Sequence, residues 1–241
     1  MLAPEALAAL AGRLICWDLD RTLGVFRPLG RDRPGPPRPG PEVGVRARVR
    51  EVIRALDKAG ALQVITTAST PAHAESALRR AGIRGLFRRV YTGDDLISTY
   101  GPPCKDYRQV AHDFALFGPE VGARMIVVGD TLTLDLPMGG TVFVWERAGT
   151  GVSAALTLWI LATLAEAGGG DFRAGYRALN HEGGGEAALL GGECAALGST
   201  PAPARSFVLK LWMQSGTPVV SLLSELPYAP LEPLEPGTDV A

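Results

Sequence analysis

Cysteine is scarce in this chain of 241 residues, with Cys16, Cys104 and Cys194 the only three. So few, so widely scattered, exclude a disulfide framework and a CxxC metal knuckle, and they read as free thiols of a reducing compartment. An excess of one charge is also missing, because 24 Lys+Arg stand against 25 Asp+Glu for a formal charge of −1. That balance excludes a uniformly basic surface adhering to nucleic acid or membrane. A bilayer span needs roughly 20 apolar residues. The longest run, Val152 to Ala165, has 14 and reads as a buried helix. Met1 to Gly12 is Ala/Leu-rich but lacks the basic start of a signal peptide, so it reads as a short helix. A soluble, cytoplasmic protein with no membrane partner is expected.

What is present is an ordinary globular share of hydrophobic residues, 46%, enough to exclude wholesale disorder. The near-neutral total hides a split. Residues 1–150 carry 20 basic and 16 acidic side chains, whereas 151–241 carry 4 and 9. Glycine clusters (Gly168 to Gly170, Gly183 to Gly185, Gly191 and Gly192) follow the change, and a proline-rich tail runs from Pro227 to Pro236. The expected organisation is a core over 1–150, an accessory region over 151–226 and a poorly ordered tail over 227–241. Apolar stretches at Val152 to Leu164, Phe207 to Trp212 and Val219 to Leu223 predict that the appendage packs, mostly as helices. It is a candidate cover for a site or an oligomer interface.

Strand-like and helix-like segments alternate in the first 150 residues. Leu14 to Trp17, Leu62 to Ile65, Val90-Tyr91, Met125 to Val128 and Val142 to Trp145 read as strands. Arg46 to Ala59, Ala72 to Ala81 and Tyr107 to Leu116 read as helices, with Gly60 and Gly82 as stops for the first two. This pattern predicts an α/β fold, a Rossmann-like doubly wound parallel sheet with helices on both faces. In such sheets ligands bind beyond the carboxyl ends of the strands.

Those strand ends carry chemistry. The first runs into Asp18-Leu19-Asp20-Arg21-Thr22, two carboxylates at i, i+2 that call for a positive partner. The second ends in Thr66-Thr67-Ala68-Ser69, hydroxyl residues at a helix start where free N–H groups can hold an anion. Lys105, one of only three lysines, precedes a helix. A fourth segment ends in Gly129-Asp130-Thr131, with Asp135 five residues beyond Asp130. Singly these are a surface loop, an N-cap, a solvated lysine and an ordinary turn. Together they suit a hard divalent cation held by oxygen ligands and a phosphate held by N–H, OH and ammonium groups.

From Arg13 to Val144 the chain resembles the haloacid dehalogenase-like hydrolases, in particular their phosphatase branch. The run Ile15-Cys16-Trp17 followed by DxDxT matches the first motif, Val64-Ile65-Thr66 the second, Lys105 the third, and Gly129-Asp130 with Asp135 the fourth. The resemblance implies a Mg²⁺-dependent phosphomonoesterase in which Asp18 is the nucleophile and forms an aspartyl-phosphate. It implies Asp20 as general acid and then base, Lys105 as charge stabiliser, and Thr66 and Thr67 as phosphate contacts. Mg²⁺ would be held by Asp18, the Asp20 carbonyl, Asp130 and Asp135. Neither the interval from Thr22 to Thr66 nor that from Thr66 to Lys105 is long enough for a folded cap, so an open site suited to a small or macromolecular phosphorylated substrate is expected. Phe26 to Pro41 holds six prolines with Arg27, Arg31, Arg33 and Arg38. It reads as a stiff solvated loop near that mouth, with nucleic acid only weakly supported because aromatics for base stacking are missing. His73 reads as a solvated helix-start residue in preference to a substrate contact, and His112 and His181 lack ligand spacing. The competing readings are a non-catalytic scaffold and a phosphotransferase using the same aspartate. Intact Asp18, Asp20, Lys105, Asp130 and Asp135 argue against the first.

Overall fold

A computed structural model describes residues 7–26, 43–97, 104–137, 141–146, 154–182, 186–189, 207–223 and 231–234. The arginine-rich loop expected over Phe26 to Pro41 lies outside them from residue 27 onward.

The apolar run Leu14–Trp17 forms β1, buried on both faces as a central parallel strand must be. It lies between Leu62–Thr66 (β4) and Met125–Gly129 (β6), parallel to both. Arg89–Tyr91 (β5) pairs outside β4, and Val142–Trp145 (β7) outside β6. Side chains alternate across this sheet. Ile15, Trp17, Ile65, Ile126 and Val128 enter one buried cluster, whereas Leu14, Cys16, Val64, Met125 and Val127 enter the other. Helices fill both layers. Val49–Lys58 (α1) buries Val49, Val52, Ile53 and Leu56, the apolar stripe read from its sequence. Pro71–Arg80 (α2) starts at the Thr70 cap. Arg108–Asp113 (α4) is shorter than the expected Tyr107 to Leu116, because Ala115 turns left-handed (φ 52°) and Leu116 N–H bonds back to the Ala111 carbonyl. The short helices Gly93–Leu96 (α3), Pro119–Arg124 (α5) and Leu132–Asp135 (α6) complete the first part.

The accessory region is helical only at first. Ala154–Ala167 (α7) is the buried helix expected there, and Phe172–Glu182 (α8) folds back on it through Gly168 to Gly170. Beyond them, Glu186–Leu189 (β8), Phe207–Gln214 (β9) and Thr217–Leu223 (β10) are strands, two of them on stretches expected to be helices. Short apolar runs do not distinguish a buried strand from a helix. The turn decides here, since Ser215 (φ 50°) and Gly216 (φ 79°) form a two-residue hairpin. Strand β10 then lies parallel to β7, giving the eight-stranded order β5-β4-β1-β6-β7-β10-β9-β8. The change near residue 150 is thus one of composition, and the sheet runs across it.

A second, three-stranded sheet joins Gly24–Val25 (β2), Gly44–Arg46 (β3) and Leu231–Glu232 (β11), all antiparallel. Part of the tail expected to be poorly ordered is therefore a strand. A side chain at Gly24 would meet the Gly44 carbonyl at 2.4 Å, and one at Gly44 would meet the Glu232 carbonyl at 2.5 Å, so only glycine permits this approach.

Candidate active site

Between β1 and its neighbours the strand order changes direction, and the carboxyl ends of β1, β4 and β6 meet there, where ligands of such sheets bind. Asp18 follows β1 directly, and its N–H donates to the Val128 carbonyl (2.9 Å), which sets its depth beside β6. Both carboxylate oxygens have donors: Lys105 Nζ reaches Oδ1 at 2.6 Å and Thr22 Oγ1 reaches Oδ2 at 3.0 Å. Lys105 is fully buried at its side chain, and its ammonium also donates to Asp135 Oδ1 (2.5 Å) and the Thr66 carbonyl (2.7 Å). Its three N–H groups are thereby satisfied, as a buried cation requires. The Lys105 backbone N–H donates to the Leu134 carbonyl, so the lysine is anchored to the same short helix that carries Asp135.

Asp130 and Asp135 flank β6 and helix α6. Asp135 Oδ2 accepts the Thr131 N–H at 2.9 Å, and Asp130 Oδ1 accepts the Thr131 hydroxyl at 3.0 Å. Gly129 permits this crowding, because a side chain there would lie 2.6 Å from the Asp135 carboxylate. Oxygen atoms of Asp18, Asp130 and Asp135 all fall within 4.8 Å of one another, and all three residues are buried. Asp130 Oδ2 is buried without a hydrogen-bond partner, although the Arg21 guanidinium stands 3.8 Å away.

The electrostatics follow. Burial, then the Asp18 charge, lifts the Asp135 carboxyl to about 7 against the pull of Lys105. Burial and the Asp18 charge also raise Asp130. Burial works against the Lys105 charge, yet Asp18 and Asp135 outweigh it and push its pKa up. Lys105 bonds two of the three close carboxylates, and the third, Asp130, keeps a buried oxygen without a hydrogen-bond partner. Hard oxygen donors at this spacing fit a divalent cation such as Mg²⁺.

Of the other expected site residues, Thr66 meets that cluster through its carbonyl on Lys105. The Asp20 carboxylate, 33% exposed, accepts Ser69 Oγ at 2.8 Å, and His73 Nε2 lies 3.2 Å from both of its oxygens. His73 is therefore not the solvated residue its helix-start position suggested; its side chain is 13% exposed and faces Asp20. Thr66 is buried with its hydroxyl on the Trp17 carbonyl (3.3 Å), and it offers Lys105 its own carbonyl. The Thr67 N–H is spent on the Tyr91 carbonyl (3.0 Å) and its hydroxyl accepts the Ser69 N–H (3.1 Å). Ser69 and His73 were legible as partners only through Thr70-Pro71, which starts helix α2 and places His73 in its first turn. Arg46, expected at the start of the helix Arg46 to Ala59, instead ends strand β3, and the helix starts at Val49. Arg46 donates to the Thr22 carbonyl (2.7 Å) and to Glu146, which also accepts the Thr157 hydroxyl, so the loop after β1 is tied to the end of β7 and to α7.

Residues 42–142 match the family of haloacid dehalogenase-like hydrolases. The matched stretch contains Thr66, Lys105, Asp130 and Asp135, while the Asp18-to-Thr22 segment precedes it. Solved structures to which the chain is similar include a haloacid dehalogenase-like hydrolase from Xanthomonas campestris (20% identity, 60% of this chain and 87% of that one, TM-score 0.41). Another is a predicted phosphoglycolate phosphatase from Haemophilus somnus (17% identity, 47% and 50%, TM-score 0.34). A third is a haloacid dehalogenase-superfamily hydrolase from Ehrlichia chaffeensis (8% identity, 63% and 97%, TM-score 0.41). No curated protein matches the sequence. Among the described residues, no helix is long and apolar enough to cross a membrane.

Proposed function

We propose that the protein is a Mg²⁺-dependent phosphomonoester hydrolase working through an aspartyl-phosphate. The observation that carries this reading is the buried cluster of Asp18, Asp130 and Asp135 around one lysine, with Asp130 Oδ2 lacking a partner. Asp18, Asp130 and Asp135, with the Asp20 carbonyl, are the residues that would hold the cation. When bound, Mg²⁺ supplies positive charge that offsets the phosphate oxygens.

Asp18 is fixed in place by Lys105 and Thr22, so its carboxylate meets a bound phosphate without losing further side-chain freedom. An Asp18 oxygen forms a bond to phosphorus as the ester P–O bond breaks, and Asp20 gives its proton to the departing alkoxide. Asp20, now a carboxylate, takes a proton from water as that water attacks phosphorus. Phosphate leaves, and Asp18 regains its carboxylate. Lys105 stays protonated throughout, since its carboxylate neighbours hold its pKa up. Among the described residues, the stretch between Thr66 and Lys105 is occupied by α2, a 3-10 turn at Arg84–Leu86, β5 and α3, which fits the reading of an open site.

Purified protein with Mg²⁺ is expected to release phosphate from an aryl phosphate, and chelation is expected to stop it. Asp18→Asn should lower turnover by at least about 10³-fold, because the amide cannot form the acyl-phosphate. Undiminished turnover by that variant would remove Asp18 from the role.

A further inference from the structure

We propose that His73, together with Ser69, is a positioning residue that orients Asp20 for proton transfer; this rests on the phosphomonoesterase reading. Asp18 is clamped by Lys105 and Thr22, but Asp20 has no such clamp within its own segment. It sits in the loop after β1, bridged at its backbone to Gly24. A carboxylate one-third exposed would rotate between rotamers, and only some of these aim it at a leaving oxygen.

The loop from β4 into α2 removes that freedom. Ser69 Oγ donates to Asp20 Oδ2 at 2.8 Å, which fixes one oxygen. His73 Nε2 lies 3.2 Å from Oδ1 and 3.2 Å from Oδ2, in front of the carboxylate edge, which fixes its plane. These partners stand 49 and 53 residues from Asp20 in sequence, so the contact is tertiary. His73 is itself held, because its backbone N–H donates to the Thr70 cap at 3.4 Å and its ring is largely buried. Two anchors on one carboxylate, Ser69 just before the Thr70 cap and His73 in the first turn of α2, hold Asp20 in one orientation.

The consequence separates His73 from a residue that merely supports the fold. Proton donation matters most when the leaving group is a poor one, as in an alkyl phosphate, and little for p-nitrophenyl phosphate. His73→Ala should therefore lower kcat/KM for an alkyl phosphate by about 100-fold, the effect expected of misplacing a catalytic group by an ångström, and for p-nitrophenyl phosphate by less than about 5-fold. His73→Gln, whose amide nitrogen can occupy the place of Nε2, should recover most of the loss. Ser69→Ala should lose activity in the same selective way, and it carries the test if His73→Ala does not fold. The measurements are kcat and KM for both esters on the full chain with Mg²⁺, with thermal melts of each variant alongside. Equal losses of kcat/KM on both esters, an increase in KM alone, or no rescue by glutamine overturns the inference while leaving the phosphatase reading intact. A wild type that releases phosphate from neither ester overturns both.

Discussion

A carboxylate buried beside another carboxylate holds its proton more tightly, and Asp135 is in that position. Its folded value of about 7 lies well above the ordinary aspartate value of about 3.9. In the cation-free protein the folded state therefore keeps a proton that the unfolded chain has released. That stability is fully present below about pH 4 and is lost as pH rises towards 7, by up to about 1.4 kcal/mol per pH unit. Asp135→Asn should flatten this slope in urea melts at about pH 4.5, 5.5 and 6.5, and a parallel slope in the variant would show that other groups cause it. Bound Mg²⁺ should suppress the same decline, because the cation competes with the proton for the carboxylate.

At the scale of elements, the strand Leu231–Glu232 reaches the site through a short series of contacts. It pairs with β3, and Glu232 accepts the Arg48 N–H at 2.8 Å and the Arg50 guanidinium at 2.8 Å. Strand β3 carries Arg46, which holds the Thr22 carbonyl, and Thr22 holds Asp18. Arg48 needs the support, because it caps α1 in a left-handed conformation (φ 66°) that a side chain favours little. Glu232→Ala removes two charge-assisted bonds and should cost about 1–3 kcal/mol, seen as a lower Tm. If the strand also steadies Asp18, kcat should fall with little change in KM; a variant that melts lower but turns over normally would confine the strand to stability.

Across the whole molecule, the compositional boundary near residue 150 does not divide the core. Leu158, Ile160, Leu161, Leu164, Phe172 and Val220 belong to the same buried cluster as Ile15, Trp17 and Val128. Each fully buried side chain of this kind contributes about 1.5–3 kcal/mol, and a domain's net stability is only about 5–15 kcal/mol. A fragment ending at Gly149 should therefore fail to fold, giving an unfolded circular-dichroism spectrum or insoluble protein. A soluble fragment with a cooperative melt would show that residues 1–149 suffice and that the later residues are an addition to them.

The strands β1, β4 and β6 and the helix α1 were legible in the sequence because continuous apolar runs and a 3.6-residue stripe are local properties. So were Asp18, Lys105, Asp130 and Asp135 as a set, since carboxylates at the ends of apolar strands are costly without a cation. Tertiary structure alone decided the rest. The stretches Phe207 to Trp212 and Val219 to Leu223 became strands because β7 offered an edge to pair with, which no local pattern records. The contacts Asp20 to His73, Arg46 to Glu146 and Glu232 to Arg48 join residues 53, 100 and 184 apart. Each partner alone reads as an ordinary polar residue. Composition and periodicity act along the chain and therefore determined where the strand ends and their acids lie; the pairing of distant side chains depends on how the loops return, and only the folded backbone sets that.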